Sequence, residues 1–169
     1  MRKILLLLIM FGLALVGCGT GGDEDGNVFG VEAEDAEMNA AIQGARDTLP
    51  VFIEALQSPT ETQTYFAIKV IFPFGEDGSA EHMWVDQLSY ADGQFQGVLS
   101  NDPVDVTDLA YGDTVTASAD EISDWMIVDD SQLLGGYTLH VLRNRMSEAE
   151  RAQFDADFGV AIPDEPALP

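Results

Sequence analysis

What most constrains the fold of this chain is a change of hydrophobic period part-way along it. From Asp35 onward, Met38, Ala41, Ile42, Ala45 and Leu49 recur at intervals of three and four, which puts them on one stripe of a helix. From Thr64 to Phe74 the chain is instead rich in β-branched and aromatic residues, and Phe66, Ile68, Val70 and Phe72 alternate onto one face of a strand. A helical stripe followed by strands joined through tight turns predicts an α+β domain.

The turns set the order of the strands. Gly75-Glu76-Asp77-Gly78 leads into a strand from Glu81 to Ala91, and Asp92-Gly93 is the strongest local hairpin signal, leading to Gln94 to Ser100. Gly112-Asp113 opens a fourth strand, Thr114 to Ser118, and Asp124 to Val128 gives a fifth. Pro50 disturbs the N-terminal stripe, so a second short helix is expected, capped by Asp47 or Thr48 and ending before Pro59, with Val51, Phe52, Ala55 and Leu56 inward. After Gly135-Gly136, Tyr137 to Met146 fits both periods and is read as a helix. Ser147-Glu148-Ala149-Glu150 is a capping box for another helix, which runs to about Phe158 and stops at Gly159. The expected architecture is an antiparallel, bent four- to five-stranded sheet packed by N-terminal helices and a C-terminal helical region. Pro163, Pro166 and Pro169 predict an extended, loose tail.

The N-terminus carries a different kind of signal. Arg2 and Lys3 precede an apolar run, Ile4 to Val16, that is too short to span a bilayer comfortably, and Leu15-Val16-Gly17-Cys18 ends it with a small residue before the only cysteine. This reads as a bacterial lipoprotein signal, with cleavage before Cys18 and lipid attachment at its thiol. Two or more acyl chains would suffice for stable anchoring. Gly19 stands where an aspartate would resemble an inner-membrane retention signal, so the expected location is the cell envelope, at the periplasmic face of the outer membrane. The chain then divides into a lipoprotein signal peptide (1–17), an acidic Gly-rich tether (18–34), one α+β domain (35–160) and a Pro-rich tail (161–169).

Charge narrows the partners. The chain holds 7 Lys+Arg against 30 Asp+Glu, a net charge of −23; losing residues 1–17 removes two of those bases and no acid, which leaves −25. That argues against nucleic acid and against polybasic docking on anionic headgroups, so the lipid would hold the membrane alone. An envelope protein or a basic partner fits the charge, as does loose collection of divalent cations. Asp23, Asp25, Asn27 and Glu34 fall on calcium-loop positions, but Val28 replaces the glycine of the sharp turn, and no metal site is expected. No cofactor is expected either, since the only Gly-rich run lies at the cleavage site and on the tether.

Chemistry is sparsely specified. His82 and His140 are the only histidines, no Gly-x-Ser-x-Gly elbow occurs, and lipidation would consume the thiol, so no catalytic residue is assigned. A two-residue turn at Asp92-Gly93 would make Tyr90 face Phe95, Leu88 face Gly97 and Trp84 face Asn101. One sheet end then collects Glu81, His82, Trp84, Asn101 and Asp102, with Lys69 brought over the Trp84 indole by the first hairpin. These six residues form a candidate binding patch; the alternative is strand-end capping, with His82 and Asp102 satisfying backbone groups. Trp125 reads as core, and His140 as a satisfied helix or interface histidine. A binding or interaction module of unknown ligand is the preferred function. The alternative is an envelope hydrolase using Glu81, Asp102 and His82 as acid–base groups on a glycan or peptide.

At several of these residues the chain resembles the YegJ-like family of bacterial domains of unknown function. The resemblance lies in Phe66-Ala67-Ile68-Lys69-Val70, Glu81-His82-Met83-Trp84-Val85, Asn101-Asp102-Pro103, Gly112-Asp113, Asp124-Trp125-Met126 and Gly135-Gly136-Tyr137-Thr138, and covers roughly Asp35 to Arg151. It implies a compact α+β domain, often secreted or lipid-anchored, and assigns no activity or site residues.

Overall fold

The computed structural model describes residues 35–76 and 78–169, so the expectations for Cys18, the signal peptide and the tether lie outside the described residues. The first element, α1 (Ala36–Gln57), is capped by Asp35, whose carboxylate accepts from Met38 N at 3.0 Å. It is one helix rather than the two expected, with Pro50 inside it. Pro50 lies on the exposed side, while Met38, Ala45, Leu49 and Phe52 share one buried face across the proline. Burying Leu49 and Phe52 gives about 1.5–3 kcal/mol each, enough to offset the roughly 3 kcal/mol an interior proline costs.

Six strands follow: β1 (Gln63–Pro73), β2 (Ala80–Ala91), β3 (Gln94–Leu99), β4 (Thr114–Ser118), β5 (Ile122–Asp129) and β6 (Gln132–Gly135). They form one sheet in the order β4-β3-β2-β1-β5-β6, with every pairing antiparallel. Two helices complete the α+β fold, α2 (Tyr137–Arg145) and α3 (Glu148–Phe158). The capping box at Ser147 and the left-handed stop at Gly159 are as expected. The sixth strand, β6, exceeds the expected four to five. It is only four residues long, and its hairpin turns through Asp130 and Ser131 at φ +44° and +64°, without the glycine that marks such turns.

The hairpin register holds at Tyr90↔Phe95 and then slips. A bulge at Gln87 (φ +50°) makes Val85 face Leu99 and Asp86 face Val98, so the expected Leu88–Gly97 and Trp84–Asn101 cross-strand pairs do not form. Gly97 makes room for the bulge: a Cβ there would lie 2.5 Å from the Asp86 carbonyl and 2.7 Å from Leu88 Cδ2.

Helix α1 covers one sheet face through a core that includes Phe52, Ile68, Met83, Val85, Phe95 and Trp125. On the opposite face, Ala67, Met126, Leu133 and Leu139 pack with Phe154 and Phe158 of α3. There β2, β3 and β4 leave His82, Gln96, Gln94, Thr114 and Thr116 exposed. The sheet is thus covered on both sides at β1 and β5 and open on one side at β2–β4. The tail is extended but not loose. Leu133 and Gly135 of β6 donate to the carbonyls of Ala161 (2.8 Å) and Ala167 (2.9 Å), and Ala161 N donates to Ser131 O at 2.9 Å. An otherwise unpaired sheet edge supplies those donors. Among the described residues, no helix is long and apolar enough to cross a membrane.

Candidate functional site

The site grows from one buried carboxylate. Asp124 on β5 is fully buried and accepts four hydrogen bonds: from Trp125 N (2.8 Å), Tyr137 N (3.0 Å), Thr138 N (2.9 Å) and Thr138 Oγ1 (2.6 Å). Helix α2 begins at Gly136, which has no side chain to cap it, and Asp124 supplies the missing acceptor from another element. Burial pushes the Asp124 carboxyl up; the charge of Lys69 and these donors act in the opposite direction. Gly135 lets the two segments meet, since a Cβ there would lie 2.4 Å from the Trp125 carbonyl. Trp125 itself is fully buried, as expected of a core residue, and its indole N–H donates to Ala45 O and Thr48 Oγ1, both at 3.1 Å.

Lys69 of β1 stands between Trp84 on β2 and Asp124 on β5, its cross-strand partners. Its Nζ lies 4.8 Å from the Trp84 ring centroid and donates to Thr138 Oγ1 at 2.9 Å. Because the Thr138 hydroxyl gives its own proton to Asp124, the three side chains form a directed chain from ammonium through hydroxyl to carboxylate. Burial lowers the Lys69 pKa, opposed by the Asp124 charge.

His82 flanks the same pair. The register jumps from Lys69↔Asp124 to Val70↔Ile122, leaving Ser123 as the extra residue of a bulge, with its Oγ 3.0 Å from His82 Nδ1. Ser123 Oγ donates to the Lys69 carbonyl at 3.2 Å, which spends its only proton. His82 Nδ1 is therefore the donor, and Nε2 carries a free lone pair. Burial, then Lys69 and Arg46, hold the His82 pKa below its ordinary value.

The six candidate residues divide. Lys69, His82 and Trp84 meet where the covered part of one sheet face gives way to the open part, Lys69 and Trp84 half-buried and His82 exposed. Asn101 joins them in the sheet plane, where its Oδ1 accepts from Trp84 N at 2.6 Å and extends the β3 pairing. Glu81, one residue from His82 on a strand, points to the opposite face. Its carboxylate accepts from Val104 N (2.9 and 3.2 Å), Asp105 N (3.1 Å) and Val106 N (3.2 Å), clasping the loop after β3. Asp102 is exposed in that loop. None of Glu81, His82 and Asp102 lines the shallow cleft of about 260 Å³ between Leu56, Tyr65, Asp86 and Leu88. Among the described residues, no group of three or more His, Cys, Asp or Glu is placed to hold a metal ion. His140 differs from expectation: it is 3% exposed, and neither ring nitrogen has a partner among the described residues.

In the sequence Asp124 and Thr138 stand out only as members of the family-like motifs, with no site role, and Ser123 does not stand out at all. The available signal was Gly136 itself, a helix N-cap without a side-chain acceptor, which calls for an acceptor from elsewhere in the fold.

A family profile described as "Uncharacterized protein conserved in bacteria (DUF2314)" matches residues 35–162. The chain belongs to the DUF2314 family. Among its relatives, "Uncharacterized protein YegJ" of Escherichia coli (strain K12) is 36% identical over 142 residues, 84% of this chain and 88% of that protein. A protein of Neisseria meningitidis serogroup B (strain ATCC BAA-335 / MC58), named for ankyrin repeats, is 36% identical over 147 residues, 83% of this chain. The match spans 58% of the Neisseria protein's own length. No solved structure matches the chain. In this DUF2314 domain Asp124-Trp125 and Gly135-Gly136-Tyr137-Thr138, distant in sequence, close around one carboxylate, and that knot positions Lys69 against Trp84.

Proposed function

We propose that this chain is a lipid-anchored binding module of the bacterial cell envelope, with the open sheet face around Lys69, His82 and Trp84 as its ligand-contacting surface. The observation that carries this reading is the division of the candidate residues. The cation, the indole and the imidazole share one sheet face, the first two half-buried at the border of its covered part and the imidazole exposed, whereas the carboxylate that would do acid–base work, Glu81, is spent on backbone donors behind the sheet. A hydrolase needs its carboxylates and histidine around one substrate position, and Glu81 and His82 face opposite ways. The anchor at Cys18 rests on the signal-like N-terminus. The acidic surface suits an envelope protein with a basic face and disfavours nucleic acid.

A photo-crosslinking side chain placed at His82, at native expression in intact cells, tests the surface. The expected result is a discrete adduct that a cross-linker at the exposed Gln43 of α1 does not give; equal adducts, or none at position 82, would contradict the reading. Replacing Cys18 by serine is expected to move the protein from the membrane to the soluble fraction, and retention of Cys18→Ser in membranes would remove the lipid anchor from the account.

A further inference from the structure

Lys69 is the one lysine of the described residues, and it is treated differently from every arginine there. Arg46 donates to the carbonyls of Ile122 and Asp120, and Arg143 holds Asp155 through two bonds of 2.7 Å. Arg145 bridges Asp35 and Glu37, and Arg151 donates to Asn144 O. Each of those cations is tied to a carboxylate or a backbone carbonyl. The Lys69 ammonium makes one hydrogen bond, to a hydroxyl, and otherwise faces the Trp84 ring, which leaves two of its three donors without a hydrogen-bond acceptor among the described residues. Asp124 does not take them, because its two oxygens already accept four hydrogen bonds. Among the described residues, no carboxylate forms an ion pair directly with this partly buried cation.

We propose that Lys69 is held in reserve as the binding cation for a small monocarboxylate, which completes the ion pair that Asp124 leaves unmade. This rests on the open face being the ligand surface. One ammonium calls for one negative charge, and the net charge of −23 disfavours polyanions such as nucleic acids or polyphosphates. The half-buried Trp84 indole beside Nζ supplies an apolar wall for the rest of the ligand where it is still exposed. The His82 Nε2 lone pair accepts from an N–H or O–H, so the fitting class is a carboxylate with such a donor nearby, as in an acylated amino acid or a peptide C-terminus. Thr138, bonded to both Lys69 and Asp124, keeps the ammonium in place before the ligand arrives.

N-acetylalanine and its neutral counterpart N-acetylalaninamide test this, titrated into the ¹⁵N-labelled full-length chain in detergent solution. The chain has two tryptophans, so two indole N–H resonances report separately on Trp84 and on buried Trp125. The acid is expected to shift the Trp84 indole and the Thr138 amide saturably, and the amide to bind about tenfold more weakly or worse. Lys69→Met should abolish that preference while leaving the Trp125 resonance unchanged; if this variant does not fold, the acid–amide comparison on the unaltered chain decides. Equal affinity for acid and amide would overturn the carboxylate assignment and leave the binding surface standing. No shift with either probe would also overturn the assignment, and the cross-link at position 82 then judges the surface separately.

Discussion

Asp124 has the largest structural task of any single residue in this domain. It caps α2, joins β5 to the Gly135-Gly136 corner and balances Lys69 through Thr138. Removing one partner from such a buried arrangement strands the others, so Asp124→Ala should cost about 3–5 kcal/mol, read as a lowered urea midpoint. A loss below about 1 kcal/mol would show that the knot is not what organises this end of the sheet. The two histidines add a pH dependence. Burial holds both below the ordinary value of 6.5, so the unfolded chain binds more protons than the folded one once the pH falls past that value. Their contribution is present above 6.5 and lost below it. The urea midpoint should fall between about pH 7.5 and 5.5, and His140→Leu should remove the larger part of that fall, because His140 is the more buried. An unchanged fall would assign the effect elsewhere. Facing Arg143 of its own helix works against protonation of His140, and Asp164 of the tail works for it. At this scale Lys69 over Trp84 was legible, because adjacent hairpin strands fix cross-strand neighbours. Asp124 was not, because in a chain with 30 acids nothing local marks the one that turns inward to cap a helix 13 residues on.

At the scale of elements, legibility follows the length and punctuation of each segment. β4 and α3 are plain in the sequence, one opened by Gly112-Asp113 and the other opened by Ser147 and closed by Gly159. β6 is too short for alternation to show and turns without glycine, and the bulge at Gln87 depends on the space above Gly97, which belongs to a neighbouring strand. Pro50 misled for a related reason: a proline's local cost is visible in sequence, whereas the shared buried face that outweighs it exists only once the sheet is in place. Two glycines separate local from tertiary constraint. Gly159→Ala meets nothing closer than 3.9 Å and should cost about 1 kcal/mol for its left-handed backbone alone. Gly135→Ala adds a methyl group 2.4 Å from the Trp125 carbonyl to a similar backbone and should cost about 3 kcal/mol or more. Thermal denaturation of the pair checks this, and equal losses would mean that the corner relaxes freely.

Across the whole molecule, the α+β class and the antiparallel sheet could be read from the change of period and the hairpin turns, but which face stays open could not. It depends on where α3 and the tail settle, and they settle over β1, β5 and β6, whose strand faces carry Ala67, Met126 and Leu133. What remains uncovered is the polar side of β2–β4, with Lys69, Trp84 and His82 at its border. Ligand binding at this border therefore depends on one ammonium group. Lys3 and Lys69 are the only lysines in the chain, so selective ¹⁵N-lysine labelling lets the Lys69 Nζ be titrated by NMR without ambiguity. In the free protein it should titrate below the ordinary lysine value of 10.5, and N-acetylalanine should move it back up as a carboxylate joins it. A Lys69 that titrates like a free lysine, or whose titration N-acetylalanine leaves unmoved, would contradict the claim that this cation is kept for a ligand.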